Sequence, residues 1–383
     1  MPKVLRIINR FNLGGPTYNA AYLTKYLSPE FETLLIGGIK DDLEESSEFI
    51  LKNLGVEYRI LPHMKRSINP FNDLSAYNEI KKIIHEFKPD IVHTHAAKAG
   101  ALGRKAAFAC DVAVTLHTYH GHVFHSYFGN FKTSIYKAIE RNLAKRTSAI
   151  IAISAKQKQE LVEEHNIASV DKVHVIPLGF DLNRFHENLD EKRKTFRSKY
   201  NLQGDEIAIG IIGRLTPVKN HLLFLEAIMF VKENSQKKIR AFIVGDGEER
   251  LVLEAQVEEL DLGDVVIFTS WEKEVDKVYP GLDIVCLTSF NEGTPVSLIE
   301  AQAANKPIVS TNVGGIENVV IPGTTALLSE VSDRNRFYEN LLQLVENDLK
   351  RKEMSQEGWN YVREKFSYSS LVKNMSALYY SLL

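Results

Sequence analysis

Cysteine is nearly absent from this chain: Cys110 and Cys286 stand alone among 383 residues. Two thiols without partners at metal-ligand spacing exclude a disulfide framework and suit a reducing compartment. An excess of one charge is missing too. The 47 Lys and Arg against 49 Asp and Glu leave a formal charge of −2, which argues against a nucleic-acid binder, whose footprint is basic. No apolar run reaches the roughly 18 residues that a membrane-spanning helix needs. The start, MPKVLRIINRFNLGG, lacks a cleavable signal pattern and reads as a first strand with its loop. Low-complexity tracts and short-period repeats are absent as well. What remains is 44% hydrophobic and 25% charged residues, an ordinary globular composition. The length exceeds what one hydrophobic core usually supports, so two domains and a cytoplasmic location are expected.

What is present is alternation. Short apolar runs predict strands over 4–8, 31–36, 90–92, 112–116, 149–153 and 172–176, with helices over 17–27, 76–87 and 133–145 among them. The pattern repeats with strands over 207–212, 239–244, 265–268, 284–287 and 307–310 and helices over 221–233, 248–260 and 295–304. Strand and helix in alternation predict a parallel sheet with both faces covered. The fold class is therefore α/β, with two Rossmann-like, doubly wound domains expected to face a cleft. The charged stretch 182–201, which lacks strand character, reads as the linker. The expected division is 1–185, 186–365, and a helical tail 366–383 that crosses back to the first domain.

The distinctive clusters share one position. Gly14-Gly15, His93/His95, Thr118 to Gly121, Gly213-Arg214, the Gly-x-Gly at 245–247 and the segment 290–294 each follow a predicted strand. Carboxyl ends of strands are where open α/β sheets bind ligands.

In SFNEGTPVSLIEA, Pro295 suits a first helical turn and Thr294 an N-cap. The free N–H groups of such a helix favour a phosphate. Glu292 stands at the mouth of that helix, and Glu300 lies one turn beyond Val296. Taken singly each is an ordinary surface acid; together they suit acceptance of sugar and ribose hydroxyls. In GRLTPVKNH, Arg214 and Lys219 place two cations at a strand end, where they can neutralise a diphosphate. Gly14 and Gly15, before a helix, let a ligand approach the backbone. VGDGEER lacks the third glycine of a dinucleotide fingerprint.

Of 12 histidines, His93, His95, His117, His120, His122 and His125 crowd one stretch. A zinc site is one reading. Without an H-E-x-x-H pattern, polar site lining with His120 nearest the chemistry is the preferred one, and no metal ligand is nominated. Lys132, Lys137, Arg141, Lys145 and Arg146, with Lys98, Arg104 and Lys105 upstream, form a basic stretch near Phe124, Tyr127, Phe128 and Phe131. It is read as a solvated face, with anionic lipid headgroups as the alternative partner.

These motifs, from FNLGG and DIVHTHAAKAGALGR through TLHTYHGHVFH, GRLTPVKNH and NEGTPVSLIEA to STNVGGIENVV, resemble the retaining glycosyltransferase family 4, of GT-B type fold. Asn305 stands where glycine is common in that family, and VIPLGFD replaces the more usual VIPNGVD. The resemblance implies that Arg214 and Lys219 grip a nucleotide-sugar diphosphate, and that Glu300 accepts ribose hydroxyls. Glu292 and His120 would lie near the transferred sugar. Gly293, Thr294, Pro295 and Val296 would hold sugar and phosphate through the backbone, with Gly15 near the diphosphate. It further implies a UDP-sugar donor, no divalent metal or other cofactor, and a hexose or N-acetylhexosamine transferred with retention. The acceptor would be a glycan or polyprenyl-diphosphate-linked hydroxyl at the inner membrane face. The alternatives are a UDP-N-acetylglucosamine 2-epimerase-like enzyme on the same fold, a metal-dependent hydrolase using the histidines, and a nucleotide-sugar sensor without turnover.

Overall fold

The computed structural model describes residues 1–12, 15–41, 46–120 and 130–383, with side chains for all of these except 130–132. The chain divides into two compact units. The first is Met1–Phe180 together with Phe366–Leu383, and the second is Asp181–Lys365.

Among the described residues of the first unit, seven strands form one sheet: β1 (Lys3–Arg10), β2 (Glu32–Gly38), β3 (Tyr58–Leu61), β4 (Ile91–His95), β5 (Val114–Thr118), β6 (Ala149–Ala152) and β7 (Val173–Val175). Their order is β3-β2-β1-β4-β5-β6-β7, and every pairing is parallel. The second unit holds β8 (Ile207–Ile212), β9 (Ile239–Val244), β10 (Val266–Ser270), β11 (Ile284–Leu287), β12 (Ile308–Thr311) and β13 (Ala326–Ser329). Their order is β10-β9-β8-β11-β12-β13, again all parallel. Both are doubly wound sheets of Rossmann order, which reverse direction between β1 and β4 and between β8 and β11.

Period-2 alternation sends neighbouring strand residues to opposite faces. On one face of the first sheet, Leu5, Ile7 and Val92 pack on helices Pro70–Phe87 and Ala97–Ala109 through Ile80, Ile83 and Ala106. On the other, Val4, Ile91, Val114 and Leu116 meet Leu23 and Leu27 of helix Gly15–Tyr26 and Leu371, Met375 and Tyr379 of helix Tyr368–Leu382. The C-terminal helix is thus part of the first unit's core. Ser367 starts it, its hydroxyl accepting from the Ser370 amide at 3.2 Å. The crossing chain is pinned where Phe180 N–H donates to Phe366 C=O at 2.8 Å and Tyr368 N–H to Phe180 C=O at 3.0 Å.

The structure departs from the sequence reading in three places. The edge strands β3 and β13 were not predicted; both are short and only partly buried, so neither stands out as an apolar run. Helix Pro70–Phe87 begins before 76, because the Asn69 side chain accepts from the Phe71 and Asn72 amides at 3.1 Å and Pro70 opens the first turn. The stretch 182–201, read as a linker, forms helices Asn183–His186 and Leu189–Lys199 within the second unit. Its arginines serve packing: Arg193 and Arg197 reach Asp283 at 2.7 and 3.3 Å while Phe196 is buried against Phe242. The expected helical tail 366–383 is helix Tyr368–Leu382, preceded by a separate helix Gly358–Phe366.

Candidate functional site

The second unit's candidate site is assembled at the point where its sheet reverses direction. The loop after β8 carries Gly213, Arg214 and, on the short 3-10 turn Pro217–Lys219, Lys219. The loop after β11 carries Glu292 and Gly293. Hydrogen bonds tie the two loops together: Phe290 N–H donates to Val218 C=O at 2.8 Å, and Thr288 Oγ1 to Lys219 C=O at 2.9 Å. Lys219 Nζ lies 2.6 Å from Glu292 Oε1, and Ser289 Oγ donates to the same oxygen at 2.5 Å. Glu292 is 8% exposed, so the pair sits in a poorly solvated setting where its charges act strongly. Arg214 is exposed and its guanidinium has no partner among the described residues, which leaves one cation available beside the Lys219–Glu292 pair.

Glycines build the frame behind these loops. A Cβ on Gly314, at φ +56°, would stand 1.9 Å from Glu292 C=O, and one on Gly315 1.9 Å from Gly293 C=O. Gly315 N–H donates to Glu292 C=O at 2.9 Å. The Gly-x-Gly of 245–247 has the same kind of work, since a Cβ on Gly245 would approach Gly213 C=O to 2.0 Å. That motif supports the Arg214 loop. Gly293 differs: nothing lies within 4 Å of a Cβ built there, so packing does not demand its glycine.

The helix after this loop runs Val296–Ala303, with Pro295 in the N-cap position at φ −72° and ψ 93°. This corrects the expectation that Thr294 caps a helix beginning at Pro295. The extended ψ of Pro295 keeps it outside the helix, and Thr294 makes no cap bond. The first amides of the helix lack intrahelical acceptors. Glu300, one turn beyond Val296, has Oε2 held by the Tyr279 hydroxyl at 2.9 Å. Burial raises its carboxyl to about 7, with the Tyr279 hydrogen bond and the Arg184 charge opposing. Oε1 has no hydrogen-bond partner among the described residues.

In the first unit the histidines form a hydrogen-bonded stack at the β4 and β5 ends. His93 bonds the Tyr379 hydroxyl through Nδ1 at 2.6 Å and Thr118 Oγ1 through Nε2 at 2.7 Å. Its ring centroid is 4.3 Å from that of His95. His95 Nδ1 meets His120 Nε2 at 2.8 Å, and His117 on the opposite face bonds Thr94 Oγ1 at 2.9 Å. The fully buried Arg6 donates to Thr24 Oγ1 at 2.7 Å and to Tyr379 Oη at 3.1 Å. Burial lowers His93, His95 and His117 well below the usual histidine range and His120 to about 3. His93, bonded at both ring nitrogens, is a satisfied core group; His117 is bonded through Nδ1 alone, His120 is a neutral imidazole, and among the described residues His117 Nε2 and His120 Nδ1 have no partner. Among the described residues no three His, Cys, Asp or Glu side chains converge as a metal site. Gly14, His122 and His125 lie outside the described residues. Gly15 opens helix Gly15–Tyr26, and a Cβ there would make only ordinary contact, 3.7 Å from Leu178 Cδ1.

Sequence reasoning missed Tyr279, Ser289, Arg6 and Tyr379. Tyr379 lies 286 residues from the histidine it holds, a separation that no local pattern bridges. The Gly314-Gly315 pair was visible as a motif, but its contact with the Glu292 loop was not.

Comparison with known proteins places this geometry. Residues 14–184 match the family model "Glycosyltransferase Family 4", and residues 192–360 match "Glycosyl transferases group 1". The chain is 30% identical over 328 residues to the UDP-Gal:alpha-D-GlcNAc-diphosphoundecaprenol alpha-1,3-galactosyltransferase of Escherichia coli, covering 84% of this chain and 83% of that one. The chain belongs to the GT-B glycosyltransferases. This glycosyltransferase is also 25% identical over 322 residues to the capsular polysaccharide biosynthesis glycosyltransferase CapM of Staphylococcus aureus, covering 84% of each. Its fold matches that of Anabaena Alr3699/HepE, solved in complex with UDP, at a TM-score of 0.84 and 18% identity over 99% of this chain and 100% of that one. The doubly wound fold and the enzyme class agree with the sequence reading.

Proposed function

We propose that this glycosyltransferase moves a hexose or N-acetylhexosamine from a UDP-sugar to a hydroxyl of a lipid-linked glycan, with retention and without a divalent metal. The observation that carries this reading is the convergence of Arg214, Lys219, Glu292 and the start of helix Val296–Ala303 on one sheet reversal. Arg214 and Lys219 neutralise the donor diphosphate, and the helix start supplies N–H donors for it. Such preorganised positive groups stabilise the charge that develops on the leaving diphosphate, which is what supports a metal-free reading. The free oxygen of Glu300 accepts the ribose hydroxyls. Glu292, already holding Lys219, accepts a hydroxyl of the transferred sugar, and Gly293 leaves the backbone open to it.

In the transfer step, the bond from the anomeric carbon to the diphosphate oxygen breaks and a bond to the acceptor oxygen forms on the same face. The acceptor proton passes to the departing phosphate oxygen. No side chain is assigned as a covalent nucleophile. His120, neutral at all physiological pH values, is assigned to hydrogen bonding of the reacting sugar rather than to the nucleotide. The acceptor is read from the Escherichia coli relative, whose name carries a diphosphoundecaprenol acceptor and a UDP-galactose donor. UDP-galactose, UDP-glucose and UDP-N-acetylglucosamine, each offered with a GlcNAc-diphosphate lipid in EDTA, test the proposal. An α-linked product by proton NMR supports retention, and a β-linked product contradicts it.

A further inference from the structure

Two neutral imidazoles that share a hydrogen bond must divide the roles of donor and acceptor. His95 Nδ1 lies 2.8 Å from His120 Nε2, and the two ring planes are 27° apart. That geometry suits an N–H of one ring meeting the lone pair of the other. Burial holds both rings neutral, and the nearby charge of Arg6 adds to the cost of a second proton on His95. Each ring therefore has a single proton to place on one of its two nitrogens.

Two arrangements make the shared bond. In one, His120 donates from Nε2, and the proton of His95 sits on its own Nε2. In the other, His95 donates from Nδ1, and the proton of His120 sits on Nδ1. Among the described residues neither His95 Nε2 nor His120 Nδ1 has a partner, and both are shielded from solvent. Either arrangement thus leaves one N–H and one lone pair unmet, and they differ in which residue carries the N–H. His95 is fully buried on β4, its ring centroid 4.3 Å from that of His93. His120 is the partly exposed member of the pair and follows β5 at the carboxyl edge of the sheet. An orphaned buried N–H is rarer than an orphaned acceptor, so the N–H belongs on His120, where a ligand can take it, and the lone pair on His95.

The layer beneath the pair is wired in one direction. Arg6, which can only donate, gives a hydrogen bond to Tyr379 Oη at 3.1 Å. The Tyr379 hydroxyl then has its one proton for His93 Nδ1 at 2.6 Å. His93 accordingly carries its proton on Nε2 and donates to Thr118 Oγ1 at 2.7 Å. Both bonds fix the plane of His93, and that plane supports the His95 ring. An imidazole at position 95 has a further use, because the hydrogen bond at one nitrogen of a histidine decides where the other carries its proton. A carboxylate there could only accept, and it would turn His120 to the opposite tautomer.

We propose that His95 is a positioning residue: it donates from Nδ1 to His120 Nε2 and so keeps the His120 proton on Nδ1, where it is given to an oxygen of the transferred sugar. The inference rests on the placing of His120 beside that sugar, and adds the direction of the hydrogen bond and the residue that sets it. His117 takes no part, since it bonds Thr94 on the opposite face of the sheet.

The test is proton–nitrogen correlation NMR of the full chain with its histidines labelled with nitrogen-15, which distinguishes a protonated from a bare ring nitrogen. His120→Gln identifies the His120 signals by their loss. The wild-type protein should show His120 protonated on Nδ1 and bare at Nε2, and His95→Asp should reverse this. In transfer assays His95→Asp should lower kcat by about tenfold or more, the order of one lost hydrogen bond, with the donor KM little changed. His95→Asn, whose amide N–H can take the place of Nδ1–H, should recover most of that loss. A wild-type His120 with its proton on Nε2, or divided between the two nitrogens, would overturn the proposal without recourse to any variant. An unchanged tautomer and kcat in His95→Asp would overturn it too. Absence of UDP binding by the wild-type chain would instead remove the transferase reading, and the spectrum would still decide the tautomer.

Discussion

At the residue scale, Glu300 and the glycines around Glu292 make the sharpest claims. Glu300 is held near 7 by burial, so near neutrality the empty site holds it partly protonated. A carboxylate accepts two ribose hydroxyls better than a carboxylic acid does, so affinity for UDP should rise as pH increases through 7. UDP itself titrates in this range, and Glu300→Gln is the control. The pH dependence in excess of that variant's is assigned to Glu300; identical profiles for the two proteins would remove its role. Gly314 and Gly293 make a second, paired prediction. Gly314→Ala places a side chain in left-handed backbone and against Glu292 C=O, and should cost at least about 1–2 kcal/mol from the backbone alone. Gly293→Ala has open space around it and should leave the urea midpoint unchanged while lowering transfer. Equal stability loss in both would contradict the division of roles.

The charged members of the candidate site were legible as residues. Arg214, Lys219, Glu292 and Glu300 stand out because charge at a strand end or helix start has few packing uses. What the chain could not disclose locally is who holds them. Lys219 is paired with Glu292 across 73 residues, and Glu300 is held by Tyr279 across 21. Both pairings depend on strand order, which periodicity does not encode. The histidine crowd shows the converse. Its density offered a metal as one reading, yet the sheet distributes His93 and His117 to opposite faces, where each bonds a neighbouring hydroxyl.

At the element scale, the C-terminal helix Tyr368–Leu382 is the most informative feature. Its apolar face completes the first unit's core, and its Tyr379 hydroxyl joins Arg6 and His93. Tyr379→Phe leaves the shape and removes the hydroxyl, so the buried Arg6 and His93 each lose a hydrogen-bond partner and about 1–3 kcal/mol of stability should go. Urea unfolding measures this; an unchanged midpoint would mean that the hydroxyl does not tie the helix to the sheet. Long, strongly periodic elements such as β8, β9 and helix His221–Asn234 were readable with nearly their observed bounds. The short edge strands β3 and β13 and the helices within 182–201 were not. Short edge strands that are only partly buried lack a clear apolar run, and helix Leu189–Lys199 buries Phe196 beneath a sequence that otherwise looks like solvated charge.

At the scale of the whole molecule, the two units respond unequally to acid. His93, His95, His117 and His120 belong to the first unit, and burial lowers all four. Below the ordinary histidine value of 6.5 the unfolded chain binds protons that the folded unit refuses. Stability is therefore lost as pH falls, by about 1.4 kcal/mol per pH unit for each such group. In the second unit His221, lowered to about 4 by burial, acts in the same direction. Glu300 acts against it, because its raised carboxyl holds a proton in the folded state between 4.5 and about 7. Those two offset between pH 6.5 and 5. Both tryptophans, Trp271 and Trp359, lie in the second unit, so their fluorescence reports it alone. At pH 5 the circular dichroism transition in urea should begin before the fluorescence transition, and the gap should narrow at pH 7. Coincident shifts at both pH values would contradict the assignment.

The central claim is that Arg214, Lys219 and Glu300 form a nucleotide diphosphate site that works without metal. Its most direct test is calorimetric titration of UDP into the purified protein in excess EDTA, with NAD as the control. The account predicts saturable UDP binding, silence with NAD, and binding weakened by Arg214→Ala, by Lys219→Ala and by Glu300→Ala. Absence of UDP binding in EDTA, restored by zinc, would contradict it and return the histidines to the centre of the chemistry.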